Sequence, residues 1–251
     1  MRPSAFERRM RAGECYHNLK ILPSAWIVMR LDGHGFTRFT NERFEKPFDP
    51  TFHQYMVETT QALLVKFQGV YGYTESDEIS ILLGRRWDLF DRELEKAFSL
   101  SAAFASSTFS IRCGQPVQFD SRAWVGARDE DVVDYFRWRQ NDAARCALNG
   151  WCYWTLRKAG RSVSEANSAL HRKSSSSKNE LLFQHGINFN ELPPWQRRGT
   201  GVYWEDYEKE GFDPIRRQAI RTVRRRLKID SQLPMKAEYD QLLEVLMQLP
   251  E

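Results

Sequence analysis

The order of the predicted elements is the feature that most limits how this chain can fold. The sequence predicts strands over Ala25 to Gly33, over 70–83 as two strands around an acidic turn, and over Ala123 to Ala127; it predicts helices over Thr51 to Phe67 and Leu89 to Phe109. The resulting order is strand, helix, strand, strand, helix, strand. That order is typical of the split βαβ of the ferredoxin-like fold, an antiparallel sheet with two helices on one face.

We therefore expect an α+β protein whose first part, residues 1–140, has the architecture of a polymerase palm, although a fold alone names no function. A long amphipathic helix is predicted over Asp129 to Ala159. The serine run before "KNELLF" suits either a flexible loop or a helix N-cap. The rest is predicted as one strand or hairpin followed by helices, so that residues 141–251 form a largely helical C-terminal part packed with the palm.

Composition narrows the class of protein. The chain has 251 residues, 41% of them hydrophobic, which is enough to bury a core. Its four cysteines form no CxxC pair and have no histidine partner at zinc spacing, which is typical of reduced thiols in a cytoplasmic protein. No apolar run approaches the ~20 residues that span a bilayer. We expect a soluble intracellular protein with no membrane partner.

Two acids are predicted at strand ends. Asp32 ends the first strand and Asp77 begins the third, and these strands are neighbours in a split βαβ sheet. Two converging carboxylates are suitable ligands for Mg²⁺, which is usually held by one or two carboxylates together with substrate phosphates. Strand alternation turns Glu78 away from Asp77 unless the chain turns there. Glu75 is predicted to lie on the surface of the turn.

The segment after Asp32 is suited to phosphate. Gly33 and Gly35 let the backbone approach a phosphate closely and offer it N–H groups. Lys46, in "FEKPFD", adds positive charge. The pattern is neither GxGxxG nor a Walker loop, so these residues alone leave both a phosphate site and an ordinary turn open.

Several unusual segments, taken together, resemble the tRNA-histidine guanylyltransferase family in that family's order. They are "RLDGHGFTRFT", "FEKPFD", "YGYTESDEIS", "FDSR", "WRQNDAARCALNGWCYW", "SKNELLF" and "NELPPWQRRGTGVYW". The resemblance runs from about Ala25 to Trp204. It implies a Mg²⁺-dependent enzyme that uses a polymerase-like palm to add nucleotides to the 5′ end of tRNA in the 3′-to-5′ direction.

The resemblance also implies roles for individual residues. The two Mg²⁺ ions per site would be bound by Asp32, the Gly33 carbonyl and Asp77, and Glu78 falls on the family's second essential acid. A nucleoside triphosphate would contact the Asp32 to Thr37 loop and residues outside it; the implied set is Asp32, Gly33, His34, Gly35, Phe36, Thr37, Lys46, Ser76 and Asp77. ATP or GTP would first activate a 5′-monophosphate, and the 3′-hydroxyl of an incoming nucleotide would then attack the activated end.

One segment departs from part of the family. Eukaryotic members that add a guanylate opposite no template base carry His-Ile-Asn-Asn-Leu-Tyr-Asn after "WRQxD", whereas this chain has Ala144 to Gly150, "ARCALNG". That segment resembles the guanylyltransferase-like branch, whose members repair 5′-truncated tRNA by templated pairing. Templated repair is therefore expected, with non-templated guanylate addition to tRNA-histidine, a non-catalytic tRNA-binding palm and a palm-type nucleotidyl cyclase as alternatives.

Cations outside the acidic site are candidates for contacts with the triphosphate or the tRNA end. These candidates, with one neighbouring amide, are Arg122, Lys178, Asn179, Arg197 and Arg198. A basic block over Ile215 to Lys228 is interpreted as a helix, and its Arg224, Arg225 and Arg226 are candidates for a surface that binds tRNA. An exposed helix whose arginines pair with nearby acids is an equally good interpretation of the block. The family resemblance further implies a homo-tetramer.

Overall fold

The computed structural model describes residues 3–213 and 218–249, and within them six strands form one antiparallel sheet of order β4-β1-β3-β2-β5-β6. The strands are β1 Trp26–His34, β2 Gly69–Glu75, β3 Glu78–Leu83, β4 Gln118–Gly126, β5 Thr200–Asp213 and β6 Gln218–Asp230. The first four have the predicted split βαβ order, and β1 and β3 are central neighbours. The predicted α+β palm-like fold is confirmed.

The same described residues contain nine α-helices. These are α1 Ala5–Arg11, α2 Phe36–Arg43, α3 Pro50–Lys66, α4 Leu94–Cys113, α5 Asp129–Lys158, α6 Val163–Leu170, α7 Ser175–Gln184, α8 Pro194–Arg198 and α9 Ala237–Gln248. The described helices include none long and apolar enough to cross a membrane. Residue 140 lies inside α5, so one helix runs through the division predicted at that position.

The two faces of the sheet carry separate hydrophobic layers because side chains alternate along each strand. Ile27 and Met29 of β1 pack with residues of α3 and α4 on one face. Trp26 and Val28 pack with residues of α5 and α9 on the other. The two helices of the split βαβ therefore lie on one face as predicted, and α5 and α9 cover the second face.

The helical region after the palm is built on α5. Leu148 and Cys152 of α5 form a small core with residues of α6 and α7. Helix α7 begins at the serine run, where the Ser174 side chain accepts a hydrogen bond from the Ser177 amide at 3.1 Å. Of the two alternatives for the serine run, the helix N-cap is confirmed.

The helix predicted for the basic block is wrong. Residues 218–230 form β6, which is paired antiparallel with β5 over its whole length, and Arg216 and Arg217 lie outside the described residues. Val223 and Leu227 are spaced four apart as in a helix, but Leu227 and Ile229 also fit a strand. Pairing with β5, which is itself joined to β2, overrides the helix preference of arginine.

Candidate active site

A two-residue turn carries Asp77, one of the two strand-end acids predicted to bind metal. Ser76 and Asp77 connect β2 to β3, and Ser76 has a left-handed backbone with φ 48°. The Ser76 hydroxyl donates to Asp77 Oδ1 at 3.1 Å. Asp77 therefore lies in the turn directly before β3 and not on the strand, so the alternation predicted between Asp77 and Glu78 does not apply.

The two predicted strand ends meet. Asp32 of β1 pairs with Glu78 of β3 and with Asp120 of β4, and the Gly33 amide donates to the Asp77 carbonyl at 3.0 Å. Burial raises the pKa of Asp77, and the nearby charge of Asp32 adds to this. Negative charge is thus concentrated at this edge of the sheet.

Arg122, a predicted phosphate or tRNA contact, lies beside the same edge. Its Nη2 is 3.7 Å from Asp32 Oδ2 and donates to Asp120 Oδ1 at 2.9 Å. Its side chain is half exposed, so it can also reach an anion from solvent. Within residues 3–213 and 218–249, no three His, Cys, Asp or Glu side chains converge as a metal site by themselves.

Glu78 is buried and forms ion pairs with Arg30 of β1 and with Arg139 of α5. The prediction that Glu75 lies on the turn surface is wrong. Its side chain is only 12% exposed, and it accepts a hydrogen bond from Arg139 at 2.8 Å. Burial, with the charge of Glu78 as the next cause, raises the pKa of Glu75 to about 8.

Arg139 is a site residue that the sequence patterns do not indicate. It lies in the "WRQND" segment, which carries the family resemblance and part of the α5 pattern. The sequence signal that could identify Arg139 is a charged residue on the side of the predicted helix that faces the sheet. From that side it can contact the acids of the turn. Its partners on the turn are separated from it by more than 60 positions in sequence, so only the fold brings them together.

A cavity of about 370 Å³ opens beside the turn. Its wall combines the turn, α2, the segment between α2 and α3, and aromatic rings from α5 and α8. The lining residues are Phe36, Thr37, Thr40, Asn41, Phe44, Glu45, Lys46, Pro47, Phe48, Asp49, Phe52, His53, Glu75, Ser76, Asp77, Tyr153, Trp154 and Trp195. Of the predicted nucleotide contacts, the cavity brings together Phe36, Thr37, Lys46, Ser76 and Asp77.

Lys46 lies in this wall as a partly buried cation. Its Nζ donates to Thr40 Oγ1 at 2.6 Å. Burial lowers the pKa of Lys46, and the charges of Asp77 and Asp49 act in the opposite direction. Elsewhere in the wall, His53 stacks on Trp195 with ring centroids 4.1 Å apart.

The glycine loop leads into α2. Gly35 has φ 72° and precedes the first residue of the helix, and His34, Gly35 and Thr37 are exposed. A side chain at Gly33 would overlap the Phe36 ring, which is buried among aromatic residues. A contact from Phe36 to a nucleotide would therefore use its backbone amide.

The remaining predicted cations lie apart from the acids. Lys178 and Asn179 are on α7 and do not line the cavity. Arg197 and Arg198 donate to the carbonyl oxygens of Leu192 and Leu233, both at 2.9 Å. These contacts show that Arg197 and Arg198 hold backbone around α8.

The basic residues of β6 are exposed and partly paired. Arg226 forms an ion pair with Glu205 at 2.7 Å, and Arg225 lies over the Trp204 ring. Arg224 pairs in register with Tyr207 and makes no ion pair with any residue the structure describes. Strand alternation places Arg224 and Arg226 on one face and Arg225 on the other.

Two family models match the chain. One is described as tRNAHis guanylyltransferase and covers residues 7–133. The other is described as Thg1 C terminal domain and covers residues 130–242. The tRNA(His) guanylyltransferase of Debaryomyces hansenii is 35% identical over 224 residues, which are 83% of this chain and 84% of that protein. The chain spans only about a third of the length of two similar Arabidopsis thaliana relatives.

Two solved structures are similar over nearly the whole chain. They are of a bacterial tRNA(HIS) guanylyltransferase (Thg1)-like protein, one in complex with ATP and one with GTP. The TM-scores are 0.76 and 0.74, each at 26% identity, covering 98% of this chain and 100% of the other.

Proposed function

This chain belongs to the tRNA(His) guanylyltransferase family, and we propose that it is a nucleotidyltransferase that adds nucleotides to the 5′ end of tRNA in the 3′-to-5′ direction. One observation carries the proposal: the Gly33 amide joins the end of β1 to the Asp77 turn, so that Asp32 lies near Asp77, which lines a cavity of about 370 Å³. The chemistry is assigned to residues 1–140 and tRNA contacts to residues 141–251.

The acidic edge fits divalent cations. Asp32 and Asp77 supply carboxylate oxygens and Gly33 a carbonyl oxygen, which are ligands that Mg²⁺ prefers. The raised pKa of Asp77 reflects burial and uncompensated charge, which a cation would relieve. When bound, two Mg²⁺ ions would neutralise the charge that develops in phosphoryl transfer. Because Glu78 is already paired with Arg30 and Arg139, we assign it to holding the site.

The chain's own residues would position the triphosphate. The exposed glycine loop at the start of α2 offers backbone N–H groups, and helix N-termini favour anions. Lys46 in the cavity wall and Arg122 at the sheet edge add positive charge from two sides. Phosphoryl transfer depends mainly on positioning and charge neutralisation, so this set is sufficient without an activated serine or cysteine.

Two successive reactions at the 5′ end follow from this assignment. A 5′-monophosphate oxygen attacks the α-phosphorus of ATP or GTP and releases pyrophosphate. The 3′-hydroxyl of an incoming nucleoside triphosphate then attacks the 5′-phosphorus of the tRNA and releases AMP or GMP, or pyrophosphate where the end carries a triphosphate. An end that already carries a triphosphate skips the first step. The relatives whose structures contain ATP or GTP support a cavity that accepts purine nucleotides.

We propose that addition is directed by a template base. The segment Ala144 to Gly150 has no histidine at the place where non-templating family members carry one. It lies on α5, and its Cys146, Ala147 and Gly150 line a neighbouring pocket that shares Lys46 and Ser76 with the cavity. The exposed arginines of the β5–β6 hairpin, with Lys178 and Asn179, are proposed to contact the tRNA body. A homo-tetramer in the cytoplasm is proposed from the family resemblance.

The direct assay combines the protein, Mg²⁺, labelled nucleoside triphosphates and a tRNA that lacks its first 5′ nucleotide. Incorporation that disappears in Asp77→Ala supports the proposal. No incorporation with any tRNA or 5′ phosphorylation state, combined with retained tRNA binding, would instead indicate a non-catalytic tRNA-binding palm. An exposed acid away from the site, Asp88→Ala, serves as the matched control.

A further inference from the structure

Arg139 is a buried arginine whose guanidinium contacts three acids. Arg139 as a whole residue is only 3% exposed to solvent. Nη2 lies 2.8 Å from Glu75 Oε1, Nη1 lies 3.3 Å from Asp142 Oδ2, and Nε lies 2.7 Å from Glu78 Oε1 as an ion pair without hydrogen-bond geometry. The Arg139 side chain does not line the cavity, so it is not placed to contact a nucleotide there.

Two of these acids are the two ends of the turn that carries Asp77. Glu75 is the last residue of β2, Glu78 is the first of β3, and they pair directly in register. Like charges directly opposite each other destabilise a strand pair, and burial increases the penalty. One planar guanidinium that reaches both carboxyl groups offsets part of this repulsion and fixes the spacing of the strand ends. A lysine ammonium could supply the charge but not the planar, forked set of N–H donors that reaches both carboxyl groups.

The turn needs this support because its own geometry is unfavourable. Ser76 has φ 48°, a left-handed conformation that is uncommon for residues other than glycine. Such a residue persists only when its surroundings hold it in place. Arg139 is itself fixed, since its neighbours Tyr135 and Phe136 on α5 are buried in the core.

We propose that Arg139 is a positioning residue, which sets the position of Asp77, and hence the metal affinity of the site, by holding Glu75 and Glu78 from α5. This inference rests on the proposed function, in which Asp77 binds a divalent cation. It adds a residue of the long helix to the machinery at the edge of the sheet. Arg139 acts through the turn and touches no reacting atom.

The test compares four forms of the full chain with the wild type. Arg139→Lys keeps the charge and loses the fork. Arg139→Met loses both. Arg139→Met with Glu75→Gln, compared above about pH 8 where Glu75 is ionised, restores the charge balance without restoring the bridge. Arg137→Met is the matched control, because Arg137 lies on the same helix but pairs at the surface with Asp134 and Asp240. Each form is assayed for melting temperature, for Mn²⁺ binding by calorimetry, and for the Mg²⁺ dependence of nucleotide addition.

Arg139→Lys is expected to melt close to the wild type, to bind Mn²⁺ roughly 10-fold more weakly and to add nucleotides about 100-fold more slowly, since small misplacements of a catalytic group have effects of this size. The double variant is expected to recover melting temperature relative to Arg139→Met without recovering Mn²⁺ affinity. Arg137→Met should match the wild type in Mn²⁺ affinity and in nucleotide addition, although it loses the Asp240 bridge to α9 and melts lower.

Two results would overturn the positioning role alone, and a third would overturn it together with the proposed function. If Arg139→Lys binds Mn²⁺ and adds nucleotides like the wild type, Arg139 has no positioning role while the proposed function stands. If the double variant recovers stability and Mn²⁺ affinity together, Arg139 acts only through charge balance. A wild type that adds no nucleotide and binds Mn²⁺ no better than Asp77→Ala would reject the proposed function and the positioning role with it.

Discussion

The backbone amide of Gly33 donates a hydrogen bond to the carbonyl oxygen of Asp77 at 3.0 Å. This bond joins the end of β1 to the turn between β2 and β3, and it holds the backbone of two acidic strand ends in a fixed relation. The side chains of Asp32 and Asp77 are consequently neighbours although they are far apart in sequence. The proposed chemistry depends on this arrangement.

Removing the charge of either acid should abolish nucleotide addition without unfolding the protein. Asp77→Asn is expected to reduce the rate at least about 1,000-fold, as loss of a preorganised electrostatic group does. Melting temperature should stay the same or rise, because the buried charge near Asp32 is unfavourable without a cation. Asp88→Asn is the control. Loss of activity together with a large fall in melting temperature would instead make Asp77 a structural residue.

The pH dependence of the free energy of unfolding should include a contribution from the protonation of His53. Burial lowers the pKa of His53 to about 4, against 6.5 in the unfolded chain. Between these values the unfolded chain binds a proton that the folded protein does not, so the free energy of unfolding falls as pH falls. The contribution is at most about 1.4 kcal/mol per pH unit. In His53→Phe, which keeps a ring to stack on Trp195, this part of the slope should vanish.

Chemical denaturation at several pH values between 4 and 6.5 measures the effect. His185→Gln, at an exposed position, should keep the wild-type slope. Equal slopes for His53→Phe and the wild type would show that His53 is protonated in the folded protein.

Two glycines with similar φ should respond differently to alanine, and Gly199, whose ψ is −170°, has a backbone conformation that is essentially restricted to glycine. Gly186 and Gly199 have φ of 76° and 74°, so both substitutions strain the backbone. At Gly186 a Cβ meets no atom within 4 Å, and we expect a loss of roughly 1 kcal/mol. At Gly199 a Cβ would lie 2.6 Å from the Tyr73 hydroxyl and 2.7 Å from the Thr74 carbonyl oxygen, which should raise the loss to about 3 kcal/mol. Similar losses measured by urea denaturation would show that the β2–α8 contact is loose.

The hairpin arginines should govern the salt dependence of tRNA binding. Replacing Arg224, Arg225 and Arg226 together with alanine should weaken binding. It should also flatten the plot of log affinity against log salt by about one unit for each phosphate that the variant no longer neutralises. Arg224→Ala should have a larger effect than Arg226→Ala, because Arg226 is already paired with Glu205. Filter binding of the triple variant with an unchanged slope would remove the hairpin from the tRNA surface.

Local patterns are sufficient to predict the palm. The short apolar runs that end at Asp32 and follow Glu78 are typical of strands buried on both faces, and the order of elements limits their pairing. The meeting of Asp32 and Asp77 follows from the adjacency of β1 and β3. These predictions succeed because sequence-local periodicity agrees with the tertiary structure.

Long-range pairing determines what the sequence could not predict. Glu75 resembles a turn residue because its partner Arg139 lies on a helix far along the chain. The basic block satisfies a helix pattern, and only its partner strand β5 makes it extended. The hydrogen bond from Arg198 to the Leu233 carbonyl likewise joins residues 35 positions apart, and the predicted substrate contacts of Arg197 and Arg198 stay predictions.

The most direct measurement supplies a 5′-triphosphorylated tRNA that lacks its first nucleotide, in four versions that differ only in the opposing base, with Mg²⁺ and each labelled nucleoside triphosphate in turn. We predict that each version incorporates the nucleotide complementary to its opposing base, and that Asp77→Asn incorporates none. If guanylate is added to every version regardless of the opposing base, the claim that a template base directs addition is contradicted. If no version gains a nucleotide, the claim that the protein is a nucleotidyltransferase is contradicted.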